Sequence, residues 1–237
     1  RAQLTPPPRH PLSGDGRTRP PPPAHYSSTR DQAAKRHCRP GEKPIYEPAP
    51  TESFGAAAMA SGEPVLGLIY DAMLEQDGKA LLYFPVYNYT GMNLDAVHAM
   101  LTHPLALPGL SDGGAHVGTI CDASFTTFLM THWARDRAEG RIPLERIIQM
   151  QASDTARFLG LKDRGLLKPG LRADLNIIDF DRLELMPPTM LRDLPAGGQR
   201  LMQYANGYLA TLVQGEAITK NGKLTGARPG RLVRAGR

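Results

Sequence analysis

From Gly62 onward, apolar residues recur at helical spacing, broken by short apolar runs and by Gly or Pro stops. Pro64 suits a first helical position. Val65, Leu68, Ile69, Ala72 and Met73 then share one face, and Gly78 ends the pattern. Ala80 to Phe84 reads as a short buried strand. Asn93 is placed to cap a helix carrying Leu94, Val97, Met100 and Leu101, which ends before Pro104. Ala106 to Leu110 reads as a second buried strand, running into the turn Ser111-Asp112-Gly113-Gly114. A helix with Phe125, Phe128, Leu129 and Trp133 follows. Another opens at Pro143 with Leu144, Ile147 and Ile148, and Ser153 is placed to cap a third that Gly160 closes. Helices alternating with short apolar strands predict an α/β fold of βα units on a parallel sheet.

After Gly165 the texture becomes that of a small β domain. Ala173 to Ile178, Ala210 to Val213 and Glu216 to Thr219 read as strands. Gln214-Gly215 separates the last two, and Asn221-Gly222 signals a tight turn. Residues 1–50 differ from both regions. They hold twelve Pro and a single β-branched apolar residue, Ile45, too little to offset the entropy of ordering. They read as disordered, partly polyproline II, and a stretch translated out of frame would read the same way. The expected organisation is thus a disordered Pro-rich segment (1–60), an α/β portion (61–165) and a small β domain (166–237).

Charge follows these boundaries. The net charge of +5 is carried entirely by residues 1–50, with nine Lys or Arg against four Asp or Glu, while the remainder holds nineteen of each. The basicity therefore describes one segment, and no nucleic-acid partner is expected. The basic tail could instead contact a proline-binding domain or an acidic surface. The Arg-rich end, Arg228 to Arg237, lacks interleaved aromatics and reads as a solvated terminus. No run of eighteen apolar residues exists, so no membrane helix is expected. Two Cys make no disulfide scaffold and point to a reducing, cytoplasmic setting. Cys121 reads as a small buried hydrophobe, whereas Cys38, among Lys35, Arg36, His37 and Arg39, is the candidate for a reactive thiol. His98 and His132 fall at helical spacing with apolar residues and read as core or boundary histidines; His103 reads as an exposed loop residue.

The candidate chemistry sits in Gly109-Leu110-Ser111-Asp112-Gly113-Gly114-Ala115-His116. Ligands of α/β folds bind at loops that follow the carboxyl ends of strands. This loop sets a carboxylate, a hydroxyl and an imidazole among glycines, although a turn with Asp112 bonding its own backbone is the plainer reading. Three chemistries fit. Asp112 could act as general acid and base beside a metal-bound water. Ser111 could be a nucleophile, since Gly109-x-Ser111-x-Gly113 satisfies the elbow pattern. The backbone N–H groups could cradle a phosphate, but the P-loop Lys is missing.

Several strings bear on this choice: Leu81-Leu82-Tyr83-Phe84-Pro85, Leu110 to His116, Thr131-His132-Trp133, Asp163-Arg164-Gly165 with Lys168-Pro169-Gly170, Ala173-Asp174-Leu175, Val213-Gln214-Gly215, Asn221-Gly222-Lys223 and Pro229-Gly230-Arg231. In this order they resemble the C-terminal part of the N-acyl-D-amino-acid deacylases (D-aminoacylase-like) of the amidohydrolase superfamily. The resemblance covers about three quarters of the chain. It implies the last βα units of a partial (β/α) TIM-type barrel joined to a small β domain. It also implies a zinc-dependent hydrolase acting on a non-peptide C–N bond, which releases a D-amino acid from its N-acyl form.

Asp112 matches the family's acid/base Asp, while Ser111, Gly113 and His116 take substrate or supporting roles. The metal ligands are not carried over, because the seven His, at 10, 25, 37, 98, 103, 116 and 132, include no His-x-His pair. The resemblance therefore implies a chain truncated at its N-terminus, weakly active or inactive by itself, and self-associating through uncovered barrel surface. The other class of reading is a non-catalytic fragment or binding module that uses the basic Pro-rich tail. A serine hydrolase is the third.

Overall fold

A computed structural model describes residues 36–39, 43–109, 111–114 and 117–233. The Pro-rich stretch before residue 36 and His116 lie outside these residues. Ser53 caps α1 (Phe54–Ser61) by accepting the Ala56 N–H at 3.2 Å, and Gly62, at φ +76°, ends it. α2 (Val65–Gly78) starts after Pro64 as its pattern requires. Its predicted inner face is only partly covered: Ala72 is fully buried, whereas Met73 is half exposed. In α3 (Asp95–Leu101) the cap position falls to Leu94, one residue later than expected, and the Asn93 side chain accepts the Asp95 N–H at 3.1 Å from just before it.

α4 (Phe125–Phe128) runs on as a π-helical stretch, Leu129–Asp136. α5 (Leu144–Gln149) opens after Pro143 and continues without a break through the π-helical Met150–Asp154 into α6 (Thr155–Phe158). Ser153 therefore caps nothing. It lies inside the helix, where its hydroxyl turns back to the Gln149 carbonyl at 3.4 Å. Gly160 closes the helix at φ +71°.

The β region is antiparallel throughout. β1 (Leu175–Ile178), β6 (Tyr208–Val213), β7 (Glu216–Lys220) and β8 (Lys223–Leu224) form one sheet in the order β1-β6-β7-β8. Two small ribbons flank it: β2 (Glu184–Leu185) with β5 (Ala205–Asn206), and β3 (Thr189–Leu191) with β4 (Arg200–Met202). Gln214-Gly215 and Asn221-Gly222 make the hairpin turns, all four at positive φ, as the expected turn chemistry demands.

The core joins the long helices to this β region. Leu129, Met130, Trp133, Ile142, Ile147, Met150 and Leu183 are buried together, with Ile178, Phe180 and Tyr208 packed against them. Each such large apolar side chain contributes about 1.5–3 kcal/mol relative to exposure.

Two expectations need correction. The strands expected at 80–84 and 106–110 do not form among the described residues, so no parallel βα barrel portion is seen there. A strand persists where a neighbouring strand pairs its N–H and C=O groups in a continuous ladder. Here Tyr83 pairs with Cys38 alone in an isolated bridge, and Leu107, inside the second expected strand, is exposed. Nor are residues 43–60 unstructured. Aromatic anchors hold this segment despite its prolines: the Tyr83 hydroxyl donates to the Tyr46 carbonyl at 3.0 Å and the buried Tyr89 hydroxyl to the Pro48 carbonyl at 2.9 Å. Cys38 is also buried, and burial raises its thiol, with the Glu52 charge adding to it. Its expected reactivity therefore fails, because desolvation outweighs its basic sequence neighbours.

Candidate functional site

The Asp112 turn lies where a C-terminal ribbon meets the entry to α4. Asp112 is exposed and adopts φ +50°. The Ser111 hydroxyl accepts the Gly113 N–H at 3.3 Å, which gives Ser111 a turn-forming role. Gly113 packs on the short 3-10 turn Asp122–Ser124: a Cβ on it would stand 2.9 Å from the Ala123 nitrogen. Contact between Gly113 and Ala123 brings the flanking Asp112 and Asp122 near one another. Burial raises the Asp122 carboxyl above its ordinary value, and the Asp112 charge adds to this. Asp112 thus stands beside a carboxyl whose protonated form is favoured.

The C-terminal β region holds both flanks of this loop. The Leu201 N–H donates to the Val117 carbonyl at 2.9 Å. Two residues on, Gln203 accepts a hydrogen bond from the Ser124 hydroxyl, which also lies 3.2 Å from the Cys121 carbonyl. The Gln203 amide donates to the Met186 carbonyl at 2.9 Å and to the Tyr46 hydroxyl at 2.5 Å. Tyr46 stands edge-on to Tyr83 and Phe128, and its hydroxyl is 3.9 Å from the Cys121 sulfur. Burial raises the Tyr46 phenol, the neighbouring Cys121 charge next, so it stays protonated. Cys121 is half-buried, close to its expected character, and burial raises its thiol.

A cavity of about 840 Å³ opens on the far side of Tyr46, walled by Glu47, Phe128, His132, Arg135 and Leu183. Its ionic centre is Glu47, which receives Arg137 Nε at 2.9 Å, Arg137 Nη2 at 3.0 Å and the Leu94 N–H at 2.7 Å. Burial pushes the Glu47 carboxyl up, but the Arg137 hydrogen bonds, the Leu94 N–H and the nearby positive charges hold it below its ordinary value. His132 Nε2 lies 3.0 Å from Glu47 Oε2, off the ring N–H direction. Its ring stacks on Phe128, and desolvation lowers its pKa against the pull of Glu47. His98 is half-buried near Trp133 and His103 is exposed, both as expected.

Asp112, Ser111 and Gly113 are thus together, while Asp122, Ser124, Gln203, Tyr46 and Glu47 were not foreseen. Ser124 and Gln203 are 79 residues apart, and Tyr46 and Glu47 sit in the Pro-rich segment, so no local pattern marks any of them. Among the described residues, no group of three or more His, Cys, Asp or Glu could hold a metal ion. No helix among them is long and apolar enough to cross a membrane.

Known proteins give three comparisons. Over 46 residues the chain is 48% identical to a 5-methylthioadenosine/S-adenosylhomocysteine deaminase of Pelotomaculum thermopropionicum and 46% identical to one of Desulfitobacterium hafniense. These matches cover 19% of this chain and 11% of each relative, so the chain spans about a tenth of their length. Solved D-aminoacylases match at 21–24% identity with TM-scores of 0.43–0.45, over 83–84% of this chain and 37–38% of theirs. One of them was characterised for its binuclear metal centre and another as a mutant with copper chloride. The model of the amidohydrolase family matches residues 61–219, well over half of the sequence, and the chain therefore belongs to the amidohydrolase family.

Proposed function

We propose that the chain is an amidohydrolase-type hydrolase of non-peptide C–N bonds whose substrate class is the N-acyl-D-amino acids, with impaired turnover in this chain. Asp112 is its acid and base. The observation that carries this reading is the exposed Asp112 on a turn pressed against Asp122–Ser124. The Asp112 carboxylate takes a proton from the water that attacks the acyl carbon, and returns it to the leaving nitrogen as the C–N bond breaks. The products are a carboxylate and a free amine. Ser111 shapes the turn, and Gly113 lets it approach Ala123.

The family's metal, zinc by the sequence resemblance, finds no ligand set among the described residues, so no step is routed through one. The deaminases offer a second reading, favoured by the local 46–48% identity: hydrolytic release of ammonia from a methylthioadenosine-like base.

The test compares the chain with its Asp112→Asn variant on an N-acetyl-D-amino acid, its L-enantiomer and 5-methylthioadenosine. Slow D-selective amine release that Asp112→Asn removes supports the proposal. Deamination alone moves the assignment to the second reading. No turnover of any substrate overturns the proposal.

A further inference from the structure

The Asp112 turn is secured from a distance by one amide side chain. Gln203 follows β4, far in sequence from the loop, and every polar atom of its amide is engaged. Its oxygen accepts from Ser124, and its nitrogen donates to the Met186 carbonyl at 2.9 Å and to the Tyr46 hydroxyl at 2.5 Å. The Met186 carbonyl can only accept, so the amide has one orientation, which leaves the oxygen facing Ser124. Ser124 closes the 3-10 turn whose Ala123 backbone touches Gly113. Tyr46, held edge-on between Tyr83 and Phe128, has its hydroxyl 3.9 Å from the sulfur of Cys121, the residue that opens the same turn. Gln203 therefore reaches both ends of the turn, Ser124 directly and Cys121 through Tyr46. Leu201, on the same ribbon, ties Val117 at the other flank.

We propose that Gln203 is a positioning residue for Asp112: it locks the Cys121–Ser124 turn, and through the Gly113–Ala123 contact that turn sets where Asp112 stands. The proposal rests on the reading of Asp112 as acid and base. The lock itself can be observed without any turnover, since Cys121 lies inside it. The other described cysteine, Cys38, is buried in a bridge with Ser53 and Tyr83, so a thiol reagent reports chiefly on Cys121.

The experiment uses the full chain and its Gln203→Leu variant, which keeps the side-chain volume and removes all three hydrogen bonds. Iodoacetamide labelling located by mass spectrometry, and hydrogen exchange over residues 111–124, are the readouts. Loss of the lock is expected to raise Cys121 labelling and local exchange about tenfold, with Cys38 unlabelled. Where amide turnover is measurable, kcat falls and KM stays within twofold, because Gln203 does not touch substrate.

Should Gln203→Leu fail to fold, Tyr46→Phe and Ser124→Ala each remove one arm and are expected to act in the same direction at about threefold. Labelling and exchange within twofold of wild type in these variants overturn the proposal, whatever the melting temperature does. If the wild-type chain hydrolyses no amide, the functional reading fails, and the labelling result still decides the lock.

Discussion

Gly113 lies so close to Ala123 that an added methyl group would sit 2.9 Å from the Ala123 nitrogen and 3.0 Å from its Cβ. Both are parts of a hydrogen-bonded turn and cannot swing away as a long side chain would. Gly113→Ala must therefore shift either the Asp112 loop or the 3-10 turn. Overpacking of this kind costs about 1–3 kcal/mol. We predict a lower melting temperature and a larger fall in kcat than in KM. An alanine variant with wild-type stability and turnover would show that the contact is not tight in solution.

Asp122 gives a pH-dependent prediction. Burial, and next the Asp112 charge, favour its protonated form in the folded chain. The folded chain thus keeps a proton that the unfolded chain has released, and this contribution to stability is lost as pH rises through the raised value. Asp122→Asn removes the cost of the buried charge and should raise the melting temperature at about pH 7, with little change near pH 3.5. Asp122 retains substantial exposure, so the gain is small. Equal shifts at both pH values would contradict the assignment.

The Glu47 cluster predicts acid sensitivity. Desolvation lowers the His132 pKa below its ordinary 6.5, so as pH falls the unfolded chain binds a proton before the folded one does. Stability should drop as pH falls from about 6.5, and Glu47, held low by Arg137, adds a second loss below about 4.3. His132→Gln should flatten the first loss. Glu47→Gln at neutral pH leaves Arg137 short of a partner and should cost about 1–3 kcal/mol. Chemical denaturation across the pH range measures both.

Leu66, Tyr70, Met73 and Leu74 stand half or more exposed at positions that repeat along one side of α2. Such a stripe favours association. The chain is predicted to self-associate with rising concentration in light scattering, and a Leu66→Glu, Tyr70→Glu double variant to remain monomeric. A wild-type chain that stays monomeric throughout would contradict this.

The elements legible in the sequence are those with local causes. Gln214-Gly215 and Asn221-Gly222 announce their hairpins because positive φ is demanded at adjacent positions. Pro64, Asn93 and Pro143 mark helix starts for similar reasons. The failures depend on partners elsewhere. Ala80 to Phe84 has strand composition but, among the described residues, its backbone bridges only to Cys38, and Ser153 looks like a cap although helical hydrogen bonding runs through it. Asp112 stood out because its turn is glycine-rich. Gln203, which ties that turn to the β region, carries no local signal at all.

The central claim is that Asp112 transfers the proton in C–N hydrolysis, and amine release from an N-acetyl-D-amino acid tests it most directly. The account predicts slow D-selective turnover by the wild-type chain and a drop of about a hundredfold in Asp112→Asn, the scale of general acid–base catalysis. Equal turnover by the two proteins, or none by either, would contradict it.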